Sequence, residues 1–146
     1  MTIRQALKYK NKLVKKISDE FAKVSGYNSV EELSKRPYDV NVAYETYRQM
    51  VQELVELKTK IHKANQPVYD KIFLLSELKS MVVTLKALDC SEGKVSSKWG
   101  RSLGEEPTMK TSVISIVQRD QEVEKLEQEI DNIQELLATH NATTEI

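Results

Sequence analysis

Four cations, Lys94, Lys98, Arg101 and Lys110, stand among the hydroxyls of Ser96, Ser97, Ser102 and Thr111 and beside the single tryptophan, Trp99. Ammonium and guanidinium groups, supported by hydroxyls and free backbone N–H groups, supply what a phosphate needs. An indole ring adds a flat apolar face on which a base or ribose can stack. These nine residues form the candidate ligand-binding set, and the chemistry they suggest is capture of an anionic, nucleotide-type small molecule. Glu92, Glu105 and Glu106 nearly cancel the local charge. A strong anion site would therefore need several copies of this stretch to converge in an oligomer. The plainer reading of the same residues is that Trp99 pins the segment to the rest of the fold while the lysines stay solvated. Both readings stand open.

Other chemistry finds no support. His62 and His140 lie far apart in sequence, and no HxxxH, HExxH or CxxC spacing offers the three or four ligands of a zinc site. His140 sits where a helix C-terminus would favour a cation. Cys90 is the lone cysteine, so no internal disulfide forms, and Asp89 and Glu92 beside it disfavour a thiolate. A nucleophile elbow and a phosphate-binding loop are both missing. The chain reads as non-enzymatic, with no catalytic residue, no metal and no cofactor.

The elements that must position the Ser/Lys/Trp stretch are helices. From Asp39 to Ala64, Val40, Ala43, Tyr47, Met50, Leu54, Leu57, Ile61 and Ala64 recur at spacings of 3 and 4, an a/d seam over more than three heptads. Asp39 suits the N-cap, where its carboxylate meets the free N–H groups of the first turn. Tyr44, Val51 and Val55 make a second apolar line beside the first, so this helix asks for neighbours on two sides. At ~1.5 Å per residue it runs roughly 37 Å.

Before it, Ile3, Leu7, Val14, Ile17, Phe21 and Val24 fit a similar seam broken only by Lys10, giving a helix over about 2–25 with Gly26 as its terminator. Residues 26–38 are turn-rich, with a short helical turn at Val30–Leu33. After Asn65-Gln66-Pro67, a third helix spans about 68–88, with an apolar stripe wider than one seam needs. Pro67 permits either a kinked continuation or an antiparallel hairpin, and the hairpin is slightly preferred. Residues 89–115 hold three of the four glycines, and Lys94–Trp99 and Thr108–Ile114 read as a short β-hairpin. The last helix covers about 116–138, with seam Val123, Leu126, Ile130, Ile133 and Leu137, followed by the polar tail Asn141–Ile146. The fold class is mainly α: an elongated antiparallel helical bundle or coiled coil with a small β-hairpin before the last helix, in a single domain of 146 residues.

Lys plus Arg equals Asp plus Glu at 22 each, which argues against nucleic acid as the partner. The two ends nevertheless differ: Arg4, Lys8, Lys10, Lys12, Lys15 and Lys16 precede any acid, whereas Asp120, Glu122, Glu124, Glu127, Glu129, Asp131 and Glu135 meet only Arg119 and Lys125. The first and last helices are expected to lie side by side, the charges selecting the partner more than holding it. No stretch approaches the ~20 apolar residues of a membrane span, and no signal peptide is evident, so a cytoplasmic protein without a membrane partner is expected.

In order and spacing these pieces resemble the DIP1984 (septicolysin-like) family of small bacterial and phage proteins. The likeness is carried by Ala6-Leu7 with Leu13, by Leu57, Ile61 and Ala64-Asn65 at the end of a long helix, by the run Thr108-Met109-Lys110-Thr111-Ser112-Val113-Ile114-Ser115, and by the closing Asn141-Ala142-Thr143-Thr144-Glu145-Ile146. The resemblance implies an elongated helical protein with a small β-hairpin that assembles into oligomers. The Trp-rich, Cys-containing loop of thiol-activated cytolysins has no counterpart here, so membrane lysis is not implied. Two functions from different classes follow. One is a homo-oligomeric, phage-type sponge that sequesters an ADP-ribose- or cyclic-nucleotide-like signal in a pocket shared between chains. The other is a purely structural or adaptor helical oligomer with no small-molecule ligand. Four long seams and a wide third stripe exceed what one rod-like chain can cover, so oligomerisation is expected under either.

Overall fold

The computed structural model describes residues 1–95 and 108–146. The protein is mainly α, with four α-helices and one two-stranded antiparallel hairpin among the described residues: α1 (Ile3–Tyr27), α2 (Val40–Asn65), α3 (Tyr69–Lys86), β1 (Gly93–Val95), β2 (Thr108–Lys110) and α4 (Ile116–Thr143). It divides into two compact units, Met1–Tyr69 with Leu137–Ile146, and Asp70–Leu136.

In the first unit α1 and α2 pair antiparallel. Ile3 and Ala6 pack with Leu57 and Ile61, Tyr9 meets Glu53, the Phe21 and Tyr47 rings lie 5.1 Å apart, and Tyr27 meets Tyr38 at 5.6 Å. The 3-4 spacing on both helices makes this possible, because it keeps one apolar stripe aimed at the partner along the whole length. Ile3, Ala6 and Leu13 are buried on α1, and Ala43, Leu57 and Ile61 on α2.

Both starts follow from local chemistry. Thr2 and Gln5 form a reciprocal capping box on α1, the Thr2 Oγ1 accepting from the Gln5 amide (3.3 Å) and the Gln5 Oε1 from the Thr2 amide (2.9 Å). On α2 the Asp39 carboxylate accepts from the amides of Asn41 (2.9 Å) and Val42 (3.2 Å), as its position predicts. The end of α1 differs from expectation. Gly26 lies inside the helix, which continues through Tyr27 to a right-handed C-cap at Asn28. The terminating groups come from Arg36, whose guanidinium donates to the carbonyls of Tyr27 (2.8 Å) and Asn28 (3.2 Å). A cation on the last carbonyls does the work for which a left-handed glycine was expected.

At Pro67 the connection between α2 and α3 is short and helical. Asn65, Gln66 and Tyr69 all keep right-handed helical dihedrals around a 3₁₀ turn, Gln66–Val68. Proline fits there because the first turn leaves its missing N–H without consequence.

The chain's end also departs from the polar tail expected. α4 runs on to Thr143, and residues 144–146 pair with residues 1–3: the Ile3 amide donates to the Thr144 carbonyl (3.0 Å) and the Ile146 amide to the Met1 carbonyl (3.0 Å). The Met1 ammonium meets the Glu145 carboxylate, and the Ile146 side chain packs against the Ile3–Ile61 core. His140 completes this clasp. Its Nε2 donates to the Ala64 carbonyl (3.2 Å), and its Nδ1 shares a hydrogen bond with the Thr144 hydroxyl (3.2 Å). A carbonyl can only accept, so the proton of that bond sits on Nε2.

In the second unit Leu78 and Val82 are buried on α3, and Val123, Leu126 and Ile133 on α4. Lys86 bridges to Glu127 at 2.9 Å, and Arg119 donates to the Leu88 carbonyl at 3.4 Å. α4 begins with a second reciprocal box, Ser115 with Gln118 (2.9 and 3.1 Å). The free Cys90 is buried.

Candidate functional site

The hairpin pairs Gly93 with Lys110, Lys94 with Met109, and Val95 with Thr108. β2 ends at Lys110, short of the expected Ile114, and the expected strand Lys94–Trp99 lies outside the described residues beyond Val95. Gly93, at φ +94°, is the one described residue in the left-handed region, where a side chain would be strained, and it opens β1. Directly opposite residues in such a pair share a face, so Lys94 and Met109 project to the same side, both exposed.

Of the nine candidate ligand residues, Lys94, Lys110 and Thr111 are described; Ser96, Ser97, Lys98, Trp99, Arg101 and Ser102 lie outside the described residues. Lys94 and Lys110 stand on the paired strands, and Thr111 follows β2. Lys110 is held by Asp89, Nζ to Oδ2 at 3.0 Å. Thr111 lines a shallow depression with Leu88, Asp89, Ser112, Val113 and Ile114. Ser112 donates to Glu92 at 2.6 Å.

Asp89 is the organising group, and sequence reading considered it only as a neighbour of Cys90. Its Oδ1 accepts from the Ser91 hydroxyl (2.5 Å) and the Ser91 amide (2.9 Å), while Oδ2 accepts from Lys110. The Ser91 hydroxyl, then the Ser91 amide and then Lys110 hold its carboxyl well below its ordinary value of 3.8. The signal was available, because Asp-x-Ser after a helix is an Asx-turn pattern. What lay beyond sequence was that Lys110 returns to it.

A lowered folded pKa means that ionisation stabilises the fold. The contribution is present above the ordinary aspartate value and is lost as pH falls through the folded value. The Ser91 amide shift, followed by NMR, is therefore expected to titrate with a midpoint below 3.8 in the native protein. Asp89→Asn should remove that titration. A midpoint at the ordinary value would contradict the bonding described here.

Elsewhere, Glu53 accepts the Tyr9 hydroxyl and so raises the Tyr9 pKa above the ordinary value of 10.0. His62 meets the Tyr69 hydroxyl through Nδ1, with the rings 5.1 Å apart. Among the described residues no three His, Cys, Asp or Glu side chains gather as a metal site, and no helix is long and apolar enough to cross a membrane.

The broader feature of the surface is apolar. The second line of α2 is not covered: Tyr44 is 47% and Val55 52% exposed, with Val51 half-buried between them. On α3, Met81 and Val83 are exposed on either side of the buried Leu78–Val82 face. The α3 composition explains this, since its apolar residues occupy nearly every side of the helix and one neighbour can cover only one side.

Compared with known proteins, the chain matches no family model, no curated protein and no solved structure.

Proposed function

We propose that this chain is a non-enzymatic helical protein that works by association with further copies of itself, its helical faces being the functional surfaces. The observation that carries this reading is the Tyr44–Val51–Val55 line. It runs for three turns of α2 beside a seam that is already filled, with Tyr44 and Val55 exposed and Val51 half-buried between them. Side chains of this size contribute about 1.5–3 kcal/mol each when fully buried. A row of them at helical spacing is a docking edge for another helix. The resemblance to the DIP1984 family, which implies oligomers, points the same way.

The nucleotide-sequestering alternative has less support. A phosphate approaching Lys110 would meet the Asp89 carboxylate, which remains ionised over the whole physiological range. Glu92 adds a second carboxylate nearby, engaged with Ser112.

Sedimentation velocity at micromolar concentration tests the proposal. The native chain is expected to sediment above its monomer mass of 16.8 kDa. Tyr44→Glu combined with Val55→Glu is expected to return it towards that mass with helicity intact, because both positions are exposed. A native chain that stays monomeric overturns the reading.

A further inference from the structure

α1 carries Arg4, Lys8, Lys12 and Lys15 at spacings of 4, 4 and 3. At 100° per residue these fall on one face, opposite the buried Ile3, Ala6 and Leu13. α4 carries Glu124, Glu127, Asp131 and Glu135 at spacings of 3, 4 and 4, on the side away from its buried Val123, Leu126 and Ile133. Read in opposite directions, the two rows have the same spacing, 3-4-4, and the same length, roughly 16 Å. All eight residues are exposed.

Their own chain leaves most of these charges unused. Among the described residues, Lys8, Lys12 and Lys15 enter no ion pair, nor do Glu124, Asp131 and Glu135. Glu127 is held by Lys86, and Arg4 makes only a long bond of 3.4 Å to the Ala138 carbonyl. Along its length α1 is partnered by α2 on the face opposite the basic row.

From this match we propose that the basic row of α1 docks antiparallel on the acidic row of α4 in a second copy of the chain. The register is Lys15 with Glu124, Lys12 with Glu127, Lys8 with Asp131 and Arg4 with Glu135. In a two-fold pair the contact is made twice, since whatever α1 of one copy meets on its partner is met in return. The basic row would also suit a polyanion, but an acidic row of equal length and matching period is present in the same molecule, and the chain's total charge is zero. The rows set partner and direction, while apolar contacts supply most of the binding. This inference rests on the self-association proposed above and adds to it a direction and a register.

A charge-exchange experiment tests it. One variant carries K8E and K15E; the other carries E124K and D131K, the residues that face them in this register, leaving Arg4, Lys12, Glu135 and the Glu127 bridge in place. Each alone is expected to self-associate on the order of 100-fold more weakly than the native chain in low salt, and an equimolar mixture is expected to recover association as a mixed pair. In the native chain, raising NaCl from 0.05 to 0.5 M is expected to weaken association roughly tenfold, because these pairs are exposed and screened. Circular dichroism checks each variant's helicity, and the salt titration needs no variant. Variants that associate as the native chain does, a mixture that fails to recover, or salt-independent native association would each overturn the register while leaving self-association standing. A monomeric native chain would remove both.

Discussion

Leu57→Asp is expected to abolish the cooperative unfolding of the α1–α2 pair. Leu57 is 8% exposed and packs with Ile3, Ala6 and Ile61, so a carboxylate in its place would be largely shielded from water. Truncation alone, Leu57→Ala, is expected to lower stability by about 2–5 kcal/mol, from lost transfer energy and the cavity left behind. The aspartate adds the cost of an unpaired buried carboxylate, several kcal/mol more. Together these approach the ~5–15 kcal/mol that holds a typical domain. Urea unfolding followed by helical ellipticity checks it, with the exposed Val55→Asp as the control. If Leu57→Asp unfolds at the native urea midpoint, the packing described for this end of the pair is wrong.

Removal of residues 144–146 is expected to cost about 2–4 kcal/mol. Two backbone hydrogen bonds disappear, Ile3 to Thr144 and Ile146 to Met1, each contributing about 0.5–1.5 kcal/mol net. The Ile146 side chain leaves the core edge, and His140 loses the hydroxyl that fixes its Nδ1. Glu145→Gln separates this from simple charge. It removes only an ion pair whose partners are 45% and 66% exposed, and is expected to change stability by less than about 1 kcal/mol. Slowed exchange of the Ile3 and Ile146 amides in the full chain, lost at Ile3 on truncation, would locate the effect. Equal stabilities for the truncated chain and Glu145→Gln would show that the clasp holds nothing.

Much of the helical layout was legible because periodicity is a local property. The Val40–Ala64 seam, the Asp39 cap and the last-helix seam each require only residues three or four apart, and the structure places them as expected. The two capping boxes were equally available, as Thr-x-x-Gln at residues 2–5 and Ser-x-x-Gln at 115–118, and would have sharpened two helix starts. The end of α1 was not, because a glycine at the right place is only a permission. Arg36, eight or nine residues further on, decided where the helix stopped by reaching back to its carbonyls. The candidate ligand set divides in the same manner. Residue types nominated Lys110 as a free cation, whereas the fold gives it to Asp89, 21 positions earlier.

By itself, the order of amino acids determined that this chain forms amphipathic helices, where most of them start, and which stripe of α2 and α4 turns inward. These depend on side-chain spacing and on hydrogen bonds across a single turn. On α1 the expected Val14 and Phe21 are exposed, while Ala6 and Leu13, outside the expected seam, are buried. Only the tertiary structure decided that the last three residues clasp the first three, that Asp89 claims Lys110, and that Tyr44 and Val55 of the second α2 line stay exposed. Each of those depends on which distant groups reach the same place first, and no local pattern encodes that competition.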